Sequence, residues 1–145
     1  MRIYQADISH IRTLAELAVL LWPEHTREEL EEEFKELIRR EDAVFFLADD
    51  AGATIGFAQC QLRHDYVEGT GTSPVGYLEA IYVADSCRRK GIARELLAAC
   101  EDWAGSMGCL EFASDCELNN MQSLRFHLGT GFKEAGRIIC FVKTL

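Results

Sequence analysis

Hydrophobic and polar positions along the chain repeat with two periods, one typical of amphipathic helices and one typical of strands. Pro23 ends the first helical pattern, and Thr26 with Glu29 forms a capping-box signature for the second. In chain order, the pattern predicts a strand beginning at Ile3, helices over residues 8–21 and 27–40, strands over 43–48, 54–62 and 77–83, a helix over 92–106, a strand over 109–114, a helix over 120–128 and a last apolar run over 135–142.

The most informative stretch is residues 77–99, where a predicted strand is followed by a basic turn, a glycine and a helix. Backbone N–H groups at a helix N-terminus lack partners, and the helix dipole favours an anion there. Gly91 would let a ligand approach the backbone, while Arg88, Arg89 and Lys90 add positive charge. The turn therefore predicts a phosphate-binding loop. The alternative is an ordinary basic turn that only begins a helix.

The pattern Val83 … Arg88-x-x-Gly91-x-Ala93 resembles the acetyl-CoA motif of the GNAT acetyltransferase superfamily. The resemblance implies that backbone amides of residues 89–93 hold the CoA pyrophosphate. It also implies a bulged, splayed strand around 81–83 that pairs with the pantetheine arm. Asp85 stands where a proline is common in the family. The residues that this resemblance assigns to acetyl-CoA are Ile81, Val83, Arg88, Arg89, Lys90, Gly91, Ile92, Ala93, Asn120 and His127.

The order of predicted elements is similar to the GNAT arrangement over the whole chain. That resemblance implies a single domain over residues 1–145, in the α/β class, with a central mixed sheet flanked by helices and splayed strands at the acetyl-CoA site. Asn120 and the Gly131-Phe132 pair match the family's last helix. His127 stands at the position of a family tyrosine that is often credited with protonating the CoA thiolate. His127 is therefore a candidate acid, with a packing role as the alternative.

Three segments, residues 20–25, 63–83 and 111–115, resemble the aminoglycoside 6′-N-acetyltransferases within this superfamily. The resemblance implies transfer of an acetyl group from acetyl-CoA to the 6′-amino group of an antibiotic such as kanamycin. It also implies a homodimer that pairs through C-terminal strands. Trp22, His25 and Tyr66 come from the matching segments and are expected to contact the aminoglycoside, although each could be an ordinary packing residue.

An aliphatic amine is mostly protonated at neutral pH and must lose a proton before it attacks a thioester. Glu79 lies in a predicted strand between apolar neighbours, and Asp115 ends the next strand along the chain. With the resemblance, we expect Glu79 to position or deprotonate the amine and Asp115 to hold an amine or a water. The alternatives are a solvent-facing Glu79 on a one-sided sheet and an Asp115 that caps a turn.

Composition and charge limit the classes of partner that the chain can bind. Fifteen basic and 24 acidic residues give a net charge of −9, which argues against nucleic acid and is compatible with a cationic substrate. No apolar run reaches membrane-spanning length, and the first ten residues lack a signal-peptide core, so we expect a cytoplasmic protein with no membrane partner. The six cysteines form no C-x-x-C pair, which indicates reduced thiols and no metal site.

Two other functions stay open at the level of sequence. One is a GNAT enzyme that acetylates a different amine, such as a polyamine, a peptide N-terminus or a lysine. The other is an acyl-CoA-binding module without turnover. The acceptor pocket distinguishes the first alternative, and the directions of Glu79 and Asp115 distinguish the second.

Overall fold

The computed structural model describes residues 1–145 and contains one five-stranded sheet and four α-helices. This is the mixed α/β architecture that the sequence predicts. The strands are β1 (Arg2–Gln5), β2 (Ala43–Asp50), β3 (Ala53–Arg63), β4 (Val75–Val83) and β5 (Phe112–Ser114), and the helices are α1 (Ile11–Leu21), α2 (Arg27–Leu37), α3 (Ile92–Ser106) and α4 (Met121–Gly129), with short 3₁₀ turns at Ile8–His10 and Asp85–Cys87.

The strands lie in the order β1-β2-β3-β4-β5. The first four are antiparallel neighbours, and β5 is parallel to β4. Two parallel neighbours require a crossover connection, and α3 supplies it. This arrangement places the N-terminus of α3 directly after β4.

The first half of the predicted capping box is present at the start of α2. Thr26 Oγ1 accepts a hydrogen bond from the Glu29 N–H at 3.1 Å, but the Glu29 carboxylate faces His25 Nδ1 at 3.3 Å. The helix ends at Leu37 and not at residue 40 as predicted. Arg40 lies beyond the helix, because its N–H bonds to Leu37 O three residues back and not four, as a turn does. Its guanidinium forms two 2.8 Å hydrogen bonds with Asp42, just before β2.

The hydrophobic core lies on both faces of the sheet. One face packs against α3 and the other against α1 and α2. Strands β2 and β3 are buried on both faces over six consecutive residues, 43–48 in β2 and 55–60 in β3, and this explains the continuous apolar run of β2. The buried stretch of β3 also contains the polar Gln59. The largest side chains that are fully buried are Phe34, Phe45, Phe57, Leu14, Leu30, Leu47, Leu96 and Leu97.

The last apolar run does not form a strand, so the prediction of an element over residues 135–142 is wrong for the single chain. No backbone hydrogen bond is donated beyond Phe132, and a strand needs a neighbour to complete its hydrogen bonds. The strand predicted over 109–114 is also shorter, because the Cys109 N–H bonds to Ala104 O at the end of α3. No helix is both long and apolar enough to span a membrane.

Candidate active site

A slot opens along β4 where β5 leaves it. The two strands pair only from Gly76 to Leu78, because β5 ends at Ser114. The edge of β4 over residues 79–83 is therefore free on that side. On the other side, Ala80 and Leu78 pair with consecutive residues of β3, which leaves Glu79 as the extra residue of a bulge. The bulge thus lies at Glu79 and not over 81–83 as predicted, whereas the free edge does include 81–83.

The loop over residues 88–93 offers unpaired backbone donors. Arg89 and Gly91 have φ angles of 64° and 81°, which turn the chain into the first turn of α3. The N–H groups of residues 89–94 donate no hydrogen bond within the chain. A Cβ built on Gly91 would meet nothing within 4 Å, so the backbone is open to a ligand. This geometry fits an anion such as a pyrophosphate.

The basic side chains of this loop divide into two groups. Arg88 Nε donates to Val83 O at 2.9 Å, and its Nη1 lies 2.9 Å from Asp85 Oδ1, so this guanidinium fastens the loop to the end of β4. Arg89 and Lys90 are exposed and form no ion pair, which leaves both charges for a bound anion. Ile92 is buried in the core, so only its backbone N–H can face a ligand. Ala93, one residue further along α3, is partly buried.

The two predicted carboxylates meet in one cluster at the start of the slot. Glu79 accepts two 2.9 Å hydrogen bonds from Arg63, one from Nε and one from Nη2. The same guanidinium lies 3.4 Å from the centroid of the Tyr77 ring. The Tyr77 hydroxyl in turn donates to Asp115. We call Arg63, Glu79, Tyr77 and Asp115 the carboxylate cluster.

Burial and charge act in opposite directions on Glu79. Desolvation raises the pKa of its carboxyl above the ordinary glutamate value, and the nearby Arg63 offsets part of this rise. Asp115 adds a smaller upward contribution. The net pKa is raised, so Glu79 is a stronger proton acceptor than an exposed glutamate. Burial, with the Asp115 carboxylate, also raises the pKa of Tyr77, which keeps its hydroxyl a donor.

The three side chains that are predicted to contact the aminoglycoside, those of Trp22, His25 and Tyr66, lie in different parts of the structure. Trp22 follows α1 and is half-buried in the core cluster that includes Ala80, next to Glu79 along β4. His25 is exposed before α2, and its side chain contacts only carboxylates of its own segment. Tyr66 is 79% exposed and donates to Glu68 at 3.1 Å. The structure shows no contact of Trp22, His25 or Tyr66 with the carboxylate cluster.

Tyr66 belongs to a loop that frames an open recess of about 330 Å³ between β3 and β4. The Glu111 carboxylate holds this loop by accepting hydrogen bonds from the Gly71 N–H at 2.9 Å and from the Thr72 hydroxyl. These bonds lower the Glu111 pKa and fix the loop to the segment before β5. The recess is lined by His64, Asp65, Tyr66, Thr70, Gly71, Thr72 and Ser73.

Asn120 and His127 both belong to α4, beside the slot. The Asn120 side chain caps the helix by accepting from the Ser123 N–H at 3.1 Å. His127 Nδ1 lies 2.7 Å from the Ser123 carbonyl oxygen, and its Nε2 lies 2.8 Å from Ser114 Oγ. A carbonyl only accepts, so Nδ1 carries the proton of that bond. Both ring nitrogens are therefore engaged, and His127 joins α4 to β5.

Arg63, Tyr77 and Ser114 are functional candidates that sequence reasoning missed. Tyr77 and Glu79 lie two residues apart on one strand, and this spacing could have indicated a shared face. The partner of Glu79 could not be found in this way, because Arg63 reaches it across a bulged register. No group of His, Cys, Asp and Glu side chains is arranged to hold a metal ion.

Comparison with known proteins identifies the family. The sequence model of the Acetyltransferase (GNAT) family matches residues 11–132 of this chain. The chain belongs to the GNAT acetyltransferase family. This confirms the recognition made from the basic loop and the fold predicted with it.

Similar proteins within the GNAT family include several named aminoglycoside acetyltransferases. This chain is 40% identical over 130 residues to an aminoglycoside N(6′)-acetyltransferase type 1 of Serratia marcescens, covering 89% of each chain. It is 41% identical over 139 residues to one of Stenotrophomonas maltophilia, covering 96% of this chain and 90% of that one. Among solved structures, AAC(6′)-Iy in complex with the bisubstrate analog CoA-S-monomethyl-acetylneamine matches with a TM-score of 0.94 at 36% identity, covering 99% and 98% of the two chains.

Proposed function

We propose that this protein transfers the acetyl group of acetyl-CoA to the 6′-amino group of aminoglycoside antibiotics and so confers resistance to them. The carboxylate cluster at the start of the slot is the observation that carries the proposal, because it places two acidic groups beside the free edge of β4. The names of the relatives support the acceptor, and the solved relative with a CoA-containing analog supports the cosubstrate.

The loop over residues 88–93 and the free edge of β4 would hold acetyl-CoA, which supplies the thioester. The N–H groups of residues 89–94 are available for the pyrophosphate, and Arg89 and Lys90 add charge. Backbone groups around Ile81 and Val83 would pair with the pantetheine arm. A backbone N–H of this edge would also stabilise the oxyanion that forms when the thioester carbonyl is attacked.

Glu79 is the proposed base. The amine enters as an ammonium, and Glu79 takes its proton directly or through water. The neutral nitrogen then forms a bond to the thioester carbon, and the C–S bond breaks to release the CoA thiolate. The raised pKa of Glu79 suits this task, because a base with a pKa closer to the ammonium's accepts its proton more readily.

Asp115 and the remaining candidates would bind the acceptor. Asp115 is exposed, and the Tyr77 hydroxyl orients it, so it can hold a second amine of a polycationic sugar. Trp22 offers an aromatic surface at the margin of the core cluster that includes Ala80. In this proposal, His25 and Tyr66 form the outer rim, where they would contact substituents far from the reacting amine.

His127 stays a candidate acid for the CoA thiolate. Its Nε2 reaches Ser114 Oγ, which also lies 3.3 Å from Leu78 O where the slot begins. Because Nδ1 carries the proton of the neutral ring, Nε2 would donate only as an imidazolium: its proton would pass to Ser114 Oγ while the Ser114 hydroxyl proton passes to the thiolate. A CoA thiolate can also leave unprotonated or take a proton from water.

The C-terminal segment supports the proposal of a homodimer. It exposes 81% of Ile138 and Ile139, 91% of Phe141 and 98% of Val142. Such a run of exposed apolar side chains is unusual for a monomer. The outer edge of β5 is unpaired, so the segment of one protomer could add a strand to the sheet of its partner. The apolar run predicted over 135–142 would then be a strand only in the dimer.

A cytoplasmic location is part of the same proposal. All six cysteines are free, as is usual where thiols are kept reduced. The cosubstrate acetyl-CoA is used in that compartment.

The experiment that tests the function measures CoA-thiol release from acetyl-CoA with kanamycin, spermidine and a lysine-containing peptide in parallel. We expect release with kanamycin at low concentration and little with the other two amines. Release with spermidine or the peptide alone would replace the proposal with another GNAT activity. Binding of CoA without release with any amine would favour the acyl-CoA-binding module.

A further inference from the structure

The proposed amine site already contains a cation that belongs to the protein. The Arg63 guanidinium forms hydrogen bonds with both oxygens of the Glu79 carboxylate. The Arg63 side chain is 42% exposed, whereas that of Glu79 is 19% exposed. Arg63 is therefore the more exposed partner, and it engages both oxygens of the carboxylate that an acceptor ammonium would have to reach.

The surroundings of Arg63 resemble a binding site for a cation. Its guanidinium lies over the Tyr77 ring at 3.4 Å from the centroid, and an aromatic face attracts cations. The Tyr77 hydroxyl bonds to Asp115, so a second carboxylate is close by. Two carboxylates and an aromatic face are also the groups that would recognise a polyamine sugar.

The position of Arg63 on the backbone allows it to leave. It is the last residue of β3, directly before the loop that frames the open recess. No backbone atom accepts a hydrogen bond from its side chain, which interacts only with Glu79 and the Tyr77 ring. Its long stem can therefore rotate toward the recess without breaking the sheet.

We propose that Arg63 is an internal substitute for the substrate amine, which occupies Glu79 in the free enzyme and is displaced by the acceptor ammonium. The inference rests on the proposed function, since it assumes that an amine reacts at Glu79. It gives Arg63 a role in specificity. An acceptor with one weak cation competes poorly with a bidentate guanidinium, whereas a polycation gains Glu79, the Tyr77 ring and Asp115 together.

The test compares Arg63→Met with the unmodified enzyme, using kanamycin as acceptor. Methionine keeps an apolar stem against Tyr77 and removes the charge. Because a partly exposed ion pair contributes modestly, we expect the KM for kanamycin to fall roughly three- to tenfold. The kcat and the KM for acetyl-CoA should stay unchanged. In the unmodified enzyme the bound acceptor has displaced Arg63 from Glu79, and in the variant the guanidinium is missing, so the two substrate complexes are alike at Glu79.

Two controls isolate the effect. Arg12→Met changes the net charge equally but removes an exposed pair with Glu16 on α1, so it should leave the KM for kanamycin unchanged. The affinity for kanamycin, measured by calorimetry, should rise when Arg63→Met is made in the unmodified enzyme. It should not improve in a Glu79→Gln background, because the carboxylate that Arg63 competes for is gone.

Several results would overturn the inference. A higher KM in Arg63→Met would mean that Arg63 binds the acceptor itself, and a lower kcat at constant KM would mean that it orients Glu79. If Arg63→Met does not fold, Arg63→Lys replaces it, because a lysine makes a single contact and should still lower the KM; an unchanged or higher KM would overturn the inference. Absence of turnover by the unmodified enzyme would overturn the proposed function itself, which distinguishes the two failures.

Discussion

The hydroxyl of Tyr77 on β4 donates a hydrogen bond to the carboxylate of Asp115, which directly follows β5. Tyr77 is 6% exposed, whereas Asp115 is exposed, so the bond ties a surface carboxylate to a buried residue of the sheet. Parallel pairing of Tyr77 with Ala113 brings the two residues together. A pair of strands that separates after three residues thus fixes the geometry of an acidic site.

Tyr77→Phe should weaken acceptor binding without affecting acetyl-CoA. The phenylalanine ring still supports Arg63, but Asp115 loses the hydrogen bond that orients it. Since hydrogen bonds to charged groups are among the stronger ones, we expect the KM for kanamycin to rise roughly three- to tenfold. Steady-state kinetics with each substrate varied in turn checks this.

Tyr4 provides a matched control for Tyr77. Its hydroxyl donates to Asp49 at 3.3 Å, and the Arg2 guanidinium lies 4.2 Å from its ring centroid, but it belongs to β1 at the opposite edge of the sheet. Tyr4→Phe should leave both KM values unchanged. An equal effect of the two substitutions would contradict a role for Tyr77 in acceptor binding.

Gly91→Val should abolish CoA binding. The φ angle of 81° disfavours a β-branched residue, and a side chain there would block the approach of the pyrophosphate to the backbone donors. Gly52 is a suitable control, because it has a φ angle of 82°, nothing lies within 4 Å of its built Cβ, and it lies in the β2–β3 turn. Calorimetry should detect CoA binding to Gly52→Val and none to Gly91→Val. Comparable binding to both variants would refute the phosphate-loop assignment.

Phe141→Asp should convert the proposed homodimer into a monomer. A charge in the exposed apolar run would have to be buried if this segment pairs with a partner, and burying an unpaired charge is costly. Leu20→Asp is the control, because Leu20 is also exposed, at 61%, but lies on α1. Sedimentation equilibrium should give a dimer for Leu20→Asp and a monomer for Phe141→Asp. A monomeric unmodified protein would show that the proposed dimer is wrong.

The pH dependence of turnover should report the Glu79 pKa. Glu79 must be deprotonated to accept a proton, so kcat/KM should fall as the pH drops below its pKa. Burial raises that pKa, so the fall should begin at a higher pH than for an exposed glutamate. Glu79→Gln should lower kcat by roughly 10²- to 10⁴-fold and remove this acid limb.

Glu101→Gln is the control for the pH profile. Burial also raises the pKa of Glu101, but this residue lies on α3, away from the carboxylate cluster. The variant should keep both the rate and the acid limb of the unmodified enzyme. If the limb survives in Glu79→Gln, another group is the base.

Much of the fold follows from the sequence because its signals are local. The apolar periods, the Thr26 cap and the basic loop before α3 each lie within a few residues of the element that they predict. The last strand could not be predicted correctly, because residues 135–142 are apolar enough for a strand but have no neighbouring strand within the chain. In the proposed homodimer, a strand would form there only against the partner.

The site shows the same division between local and long-range information. Glu79 and Asp115 are predicted as site residues from their residue types and their places in the pattern, with the help of a resemblance. The Arg63–Glu79 pair depends on the antiparallel register of β3 and β4 and on the bulge that leaves Glu79 unpaired. Register across strands is a tertiary property, so a single sequence does not reveal it.

The measurement that tests the central claim most directly is CoA-thiol release from acetyl-CoA with kanamycin and with its 6′-hydroxyl counterpart. The two acceptors differ only at the atom that is proposed to attack the thioester. We predict rapid release with the 6′-amine and none with the 6′-hydroxyl compound. Equal release with both would show that another amine is acetylated, and no release with either, while CoA is still bound, would show that aminoglycosides are not the acceptors.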